Sequence, residues 1–81
     1  MNIIDLYINN MRKDDITNFA IKNNINLNDN ELDFTYNFIK NNYKEVINNK
    51  DTFDLSAYRN NFSKENFEKI EKLLKKYINY L

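Results

Sequence analysis

The chain has 81 residues, balances 12 Lys and Arg against 12 Asp and Glu, and contains no Cys, His, Gly, Pro or Trp. A chain of this length can bury one small core, which excludes a second separately folded domain. The absence of Cys and His excludes disulfides, zinc sites of the usual kind and Cys/His or Ser/His catalysis. We therefore predict an all-α fold, a compact single-domain bundle of four to five helices over residues 1–81, with no disulfide or metal.

Two short helices are predicted at the start of the chain. Apolar residues at i, i+4 and i+7 predict a first amphipathic helix over about residues 2–12. Asp14 or Asp15 can cap the second, which is expected to end at Asn23 and Asn24. Asn tolerates the left-handed conformation best among residues other than Gly, so pairs of Asn are the expected helix stops. These pairs stand at 9/10, 23/24, 41/42 or 48/49, and 60/61.

A long third helix is predicted from Asn28, because Asn28 and Glu31 have the spacing of a capping box. Its apolar stripe steps by four, three, four, three and one residues through Leu32, Tyr36, Ile39, Tyr43, Val46 and Ile47. Phe34 and Phe38 lie on the other face. A helix that is apolar on two sides is typically central and buried, and the alternative is that the two Phe form an exposed docking patch.

Two further helices complete the predicted bundle. Asp51 or Asp54 can cap a short fourth helix, and Ser63 can cap the fifth. The fifth helix carries a two-heptad seam of Phe67, Ile70, Leu74, Tyr77 and Leu81. Two heptads are too short for an independent coiled coil, so we predict packing within the chain, with a homodimer through this helix as the alternative. The predicted core comprises Tyr36, Ile39, Tyr43, Leu55, Phe62, Phe67, Ile70 and Leu74.

The sequence offers little for catalysis or for cofactor binding. Asp29, Glu31 and Asp33 could bind a cation or act as acids and bases, but acids at a helix start are also what the helix dipole favours. A calcium loop fails on spacing, and phosphate and dinucleotide loops require Gly. We therefore predict that the protein is not an enzyme and has no cofactor and no catalytic or metal-binding residue.

The function predicted by this elimination is a non-enzymatic protein–protein interaction or regulatory module with an unknown protein partner. The candidate interaction residues are Phe34, Phe38, Leu73, Tyr80 and Leu81. The alternative is a nucleic-acid-associated regulator that uses a degenerate helix-turn-helix of the second and third helices, or the Lys-bearing face of the fifth. Electrical neutrality and the acids that begin the third helix weigh against nucleic acid. No run is apolar enough to span a membrane and no secretory signal is visible, so a cytoplasmic location is expected.

Short stretches in a fixed order carry a resemblance to a known family. They are MNII at residues 1–4, DIT at 15–17, FA at 19–20, INL at 25–27 and IKNN at 39–42. In this order the chain resembles a domain-of-unknown-function family of small all-helical proteins from low-GC Gram-positive bacteria. The resemblance implies a bacterial cytosolic helical protein and carries no catalytic residue. The 18 Asn residues agree with an AT-rich genome, because Asn has AT-rich codons.

Overall fold

A computed structural model of the protein describes residues 2–79. In that part of the chain it contains four α-helices, one 3₁₀ helix and no strand, so the prediction of an all-α fold with four to five helices is confirmed. The elements in chain order are α1 (Ile3–Asn10), α2 (Lys13–Lys22), α3 (Asp29–Asn48), η1 (Leu55–Asn61) and α4 (Lys64–Ile78). Between residues 2 and 79 no helix has both the length and the apolar character needed to cross a membrane.

Backbone contacts divide the chain into two compact units, Met1–Tyr43 and Lys44–Leu81. The first unit contains α1, α2 and most of α3. The second contains the end of α3, η1 and α4. The single domain over residues 1–81 stays a prediction, and each unit is described below by itself.

The first two helices begin with acids that bond back to the preceding backbone. In α1 the Asp5 N–H donates to Asn2 Oδ1 at 2.9 Å and the Asn2 N–H donates to Asp5 Oδ2 at 3.4 Å, which is a complete capping box. In α2 the cap residue is Arg12, whose N–H donates to Asp15 Oδ2 at 2.8 Å. The prediction that Asp14 or Asp15 is the cap residue is therefore wrong. The helix begins earlier and keeps both acids in its first turn, where the dipole favours them.

The end of α2 confirms the predicted Asn stop at residues 23 and 24. Asn24 has a φ of 61° and is the one non-glycine residue with positive φ in the described part of the chain. The Ile25 N–H donates to the Ala20 carbonyl at 2.8 Å, and the Asn24 N–H donates to the Ile21 carbonyl at 3.0 Å. This pair of bonds is a Schellman motif, and its usual apolar contact joins Ile25 and Ala20, both of which are buried.

The start of α3 confirms the predicted capping box. The Asn28 N–H donates to Glu31 Oε1 at 2.9 Å, and the Glu31 N–H donates to Asn28 Oδ1 at 2.8 Å. The helix then runs through residues 41 and 42 to Asn48, so a stop at 41/42 is wrong and the alternative at 48/49 is correct. An Asn pair alone does not stop a helix, because Asn is only mildly unfavourable in a helix interior. Within the continuing helix, the Asn42 side-chain amide donates to the Phe38 carbonyl at 3.1 Å.

Both predicted caps of the second unit are observed. Asp54 caps η1 and accepts from the Ser56 N–H at 2.9 Å and from its hydroxyl at 2.7 Å. Ser63 caps α4 and accepts from the Asn66 N–H at 3.1 Å. The two helices meet where the Arg59 guanidinium lies 4.5 Å from the ring centroid of Phe67, a side chain only 1% exposed.

The buried apolar residues differ from the predicted core. They are Met11, Ile16, Ala20, Ile25 and Phe67. Phe67 alone belongs to both sets, and the remaining predicted core residues are half-buried, namely Tyr36, Ile39, Tyr43, Leu55, Phe62, Ile70 and Leu74. The first unit thus buries the apolar face of α2 and its flanks more completely than the stripe of α3. Tyr side chains contribute to that difference, because a hydroxyl keeps the ring near polar partners.

Candidate functional site

The apolar residues of α1 are unusually exposed. Ile3, Tyr7 and Leu6 are 81%, 66% and 51% exposed, and none of the eight residues from Ile3 to Asn10, all of them described, is buried. Helices with apolar residues on most sides are ordinarily buried. Contiguous exposed apolar surface, by contrast, marks interaction sites in soluble proteins. This helix therefore presents the first unit's strongest candidate for a binding surface.

Alongside α1 lies a shallow depression of about 370 Å³ that is open to solvent, here called the α1 groove. Its lining residues are Ile3, Leu6, Tyr7, Asn10, Met11 and Asp15. Met11 is buried in the first unit, whereas the other three apolar residues project into solvent. An open apolar surface with one carboxylate cannot enclose a small substrate among converging polar groups, so its shape suits a macromolecular partner.

A row of polar and aromatic side chains on α3 faces α1 and the start of α2. We call this row the polar seam; its members, spaced three, four and three residues apart, are Asp33, Tyr36, Lys40 and Tyr43. Asp33 Oδ1 lies 2.7 Å from Lys13 Nζ. The Tyr36 ring centroid lies 5.7 Å from Lys13 Nζ and 5.5 Å from Lys40 Nζ, within cation–π range of both.

The seam reaches both ends of α1. Lys40 Nζ donates to the carbonyls of Ile8 and Asn9, the latter at 3.0 Å, where a cation complements the negative end of the helix dipole. The Tyr43 hydroxyl donates to Asp5 Oδ1 in the first turn of α1. Because residue 5 meets residue 43 and residues 8 and 9 meet residue 40, α1 runs antiparallel to α3.

Two groups of the seam region have shifted pKa values. The hydrogen bond to Asp33 and its negative charge raise the pKa of Lys13 above the ordinary value of 10.5. The hydrogen bond to Asp5, then desolvation and the charge of that carboxylate, raise the pKa of Tyr43 above 10.0. Because both pKa values are raised, Lys13 and Tyr43 keep their hydrogen-bonding protons further into the alkaline range than the free groups would.

Three of the five candidate interaction residues proposed from sequence lie in the described part of the chain, and these three are only partly accessible. Phe34 and Phe38 are half-buried and stack with ring centroids 5.9 Å apart. Leu73, on α4, is also half-buried. Tyr80 and Leu81 lie outside the described residues. Each Phe ring thus covers part of the other, and the docking patch formed by the two Phe stays a prediction.

Sequence reasoning missed the exposure of α1, because the spacing of Ile4, Ile8 and Met11 predicts only that one face points inward. The signal was nevertheless present in the sequence. Five of the six residues from 3 to 8 are apolar, with only Asp5 between them. One inward face cannot accommodate that many, so some had to be exposed or covered by a partner.

Two of the three acids considered for chemistry have structural roles. Glu31 is only 3% exposed and closes the capping box of α3, and Asp33 pairs with Lys13. Across residues 2–79 no three carboxylates come together as a cation site would require. Comparison with protein families, with curated proteins and with solved structures finds no match for this chain. The family resemblance therefore stays a prediction.

Proposed function

We propose that the protein is a non-enzymatic interaction module that binds another protein through the α1 groove. The observation that carries this proposal is the exposure of Ile3, Leu6 and Tyr7 on a helix that buries none of its residues. Tyr is enriched among the residues that dominate binding energy, and the exposed aliphatic side chains beside it add apolar area that a complex can bury. The proposed setting is the cytoplasm.

The occupant we propose is an amphipathic helix of the partner. A shallow apolar groove alongside a helix suits apolar side chains at i, i+3, i+4 and i+7 of a second helix. The one charged lining residue is Asp15, and Asp14 lies next to it in the first turn of α2. Charge complementarity therefore favours a Lys or Arg at the end of the partner helix that faces these two acids.

The proposal can be tested with defined helical peptides. A display library of helices of about five turns carries apolar residues at the four anchor positions and either basic or acidic residues in its last turn. We expect basic-ended helices to be enriched, and fluorescence anisotropy then gives their Kd. Leu6→Lys and Tyr7→Lys should each weaken binding about tenfold or more, because a buried anchor is replaced by a charge.

Tyr77→Lys is the matched control. Tyr77 is 44% exposed, belongs to α4 in the second unit and makes no part of the groove. Its replacement should leave the Kd unchanged. Absence of enrichment, or equal affinity for the wild type and Leu6→Lys, would contradict the proposal. Salt-sensitive binding to duplex or single-stranded DNA in the same assay would instead support the nucleic-acid alternative.

A further inference from the structure

Little apolar burial attaches α1 to the first unit. Even the less exposed apolar residues of α1 are incompletely covered by the rest of the first unit: Ile4 is 38% exposed, and Ile8 is half-buried. By comparison α2 buries Ile16 and Ala20, which are 8% and 6% exposed. Elements with few buried apolar contacts open more readily than the rest of a structure. The attachment of α1 therefore depends strongly on its hydrogen bonds.

Two residues of the polar seam donate hydrogen bonds to α1 at its opposite ends. Lys40 holds the carbonyls of Ile8 and Asn9, and Tyr43 holds the carboxylate of Asp5. Asp5 also closes the capping box with Asn2, so the same carboxylate both starts the helix and anchors it. Loss of either contact weakens α1 itself as well as its attachment, since eight isolated residues are too short to stay helical in water.

We infer that α1 is a releasable helix, which the Lys40 and Tyr43 contacts of the polar seam hold in place and whose release dismantles the α1 groove. Release separates Ile3, Leu6 and Tyr7 from Asp15, the groove residue that belongs to α2. The release of α1 does not itself depend on the proposed function; only its biological meaning does. Under the proposed function, the partner helix binds the state in which α1 is docked on the first unit, and binding therefore increases the population of that state.

Amide hydrogen exchange of the free protein tests the release without any partner. In the wild type, the amides of α1 should exchange faster than those of α2 near Ile16 and Ala20. Tyr43→Phe and Lys40→Met should each accelerate exchange in α1 about tenfold, because each removes a hydrogen bond to a charged or dipolar group. Exchange in α2 should not change.

Tyr58→Phe and Lys22→Met are matched controls, as neither residue belongs to the seam, and both should leave α1 unchanged. Unaltered exchange of α1 in Tyr43→Phe and Lys40→Met would overturn the inference. Equal acceleration of α1 and α2 would also overturn it, because α1 would then open only together with the whole unit. A protein that shows the expected exchange but binds none of the helical peptides refutes the proposed function and leaves the releasable helix intact.

Discussion

Asparagine replaces glycine at the helix ends of this protein. Asn24 adopts the left-handed conformation that closes α2, as a C-terminal Gly would. Asn side chains also hydrogen-bond at the ends of α1, α2 and α3. The side-chain amides of Asn10, Asn23 and Asn49 donate to the carbonyls four residues before them, at 2.8, 2.8 and 3.0 Å. These amides give the carbonyls a second donor at the helix end; the Glu45 carbonyl, for example, accepts from both the side chain and the backbone N–H of Asn49, each at 3.0 Å.

The conformation of Asn24 gives the first prediction. Asn24→Ala should lower the free energy of unfolding by about 1 kcal/mol, because a β-carbon without a compensating polar group disfavours positive φ. Asn24→Gly should be neutral or stabilising. Urea unfolding followed by circular dichroism measures both. Asn37→Ala, at an exposed site within α3, is the control and should stabilise slightly; a similar loss there would contradict this explanation.

The raised pKa of Tyr43 predicts a weaker fold in alkaline solution. A group whose pKa is raised on folding stabilises fully below its unfolded value, here 10.0, and loses that contribution as pH rises through the folded value. Lys13, raised above 10.5, adds a loss of the same sign at slightly higher pH. Urea unfolding at pH 8 to 12 should therefore show less pH dependence in Tyr43→Phe than in the wild type. Equal slopes would contradict the role of the Tyr43 hydroxyl.

At the scale of elements, local rules predicted more than packing did. Caps at Asn28, Asp54 and Ser63 and the stop at Asn24 follow from short-range hydrogen bonds, which the sequence displays directly. Spacing on a helix identifies a face but not the neighbour that covers it. Tyr36 and Tyr43 accordingly appeared as part of an apolar stripe, whereas they belong to the polar seam with Asp33 and Lys40. The α1 groove was missed for the same reason, since the exposure of its residues depends on how the neighbouring helices pack.

The packing of α4 on η1 gives a prediction at this scale. Phe67→Ala should cost about 3–5 kcal/mol, because the side chain is 1% exposed and its ring supports Arg59. Ile70→Ala and Leu74→Ala should cost less than Phe67→Ala, since both residues are half-buried. Thermal unfolding of the three variants ranks them. A loss in Ile70→Ala as large as that in Phe67→Ala would contradict this order.

At the scale of the whole molecule, zero net charge offers little electrostatic resistance to self-association. A homodimer through the C-terminal helix is the predicted alternative to a monomer. Among the described residues of α4, Tyr77 is the exposed aromatic residue that such an interface could bury. If this interface forms, Tyr77→Lys should convert a dimer to a monomer in sedimentation at micromolar concentration, whereas Tyr7→Lys should not. A mass that changes only with Tyr7→Lys would assign self-association to the α1 groove instead.

The contacts of the polar seam are nested along the chain. Lys13 and Asp33 are 20 residues apart in the sequence. Lys40 is separated from Ile8 and Asn9 by 32 and 31 positions, and Tyr43 from Asp5 by 38. Closing a longer loop costs more entropy, so the order of closure runs outward from the turn between α2 and α3. We therefore expect docking of α1 to be the last step in folding of this unit. In stopped-flow measurements Tyr43→Phe should therefore speed unfolding and leave the refolding rate nearly unchanged.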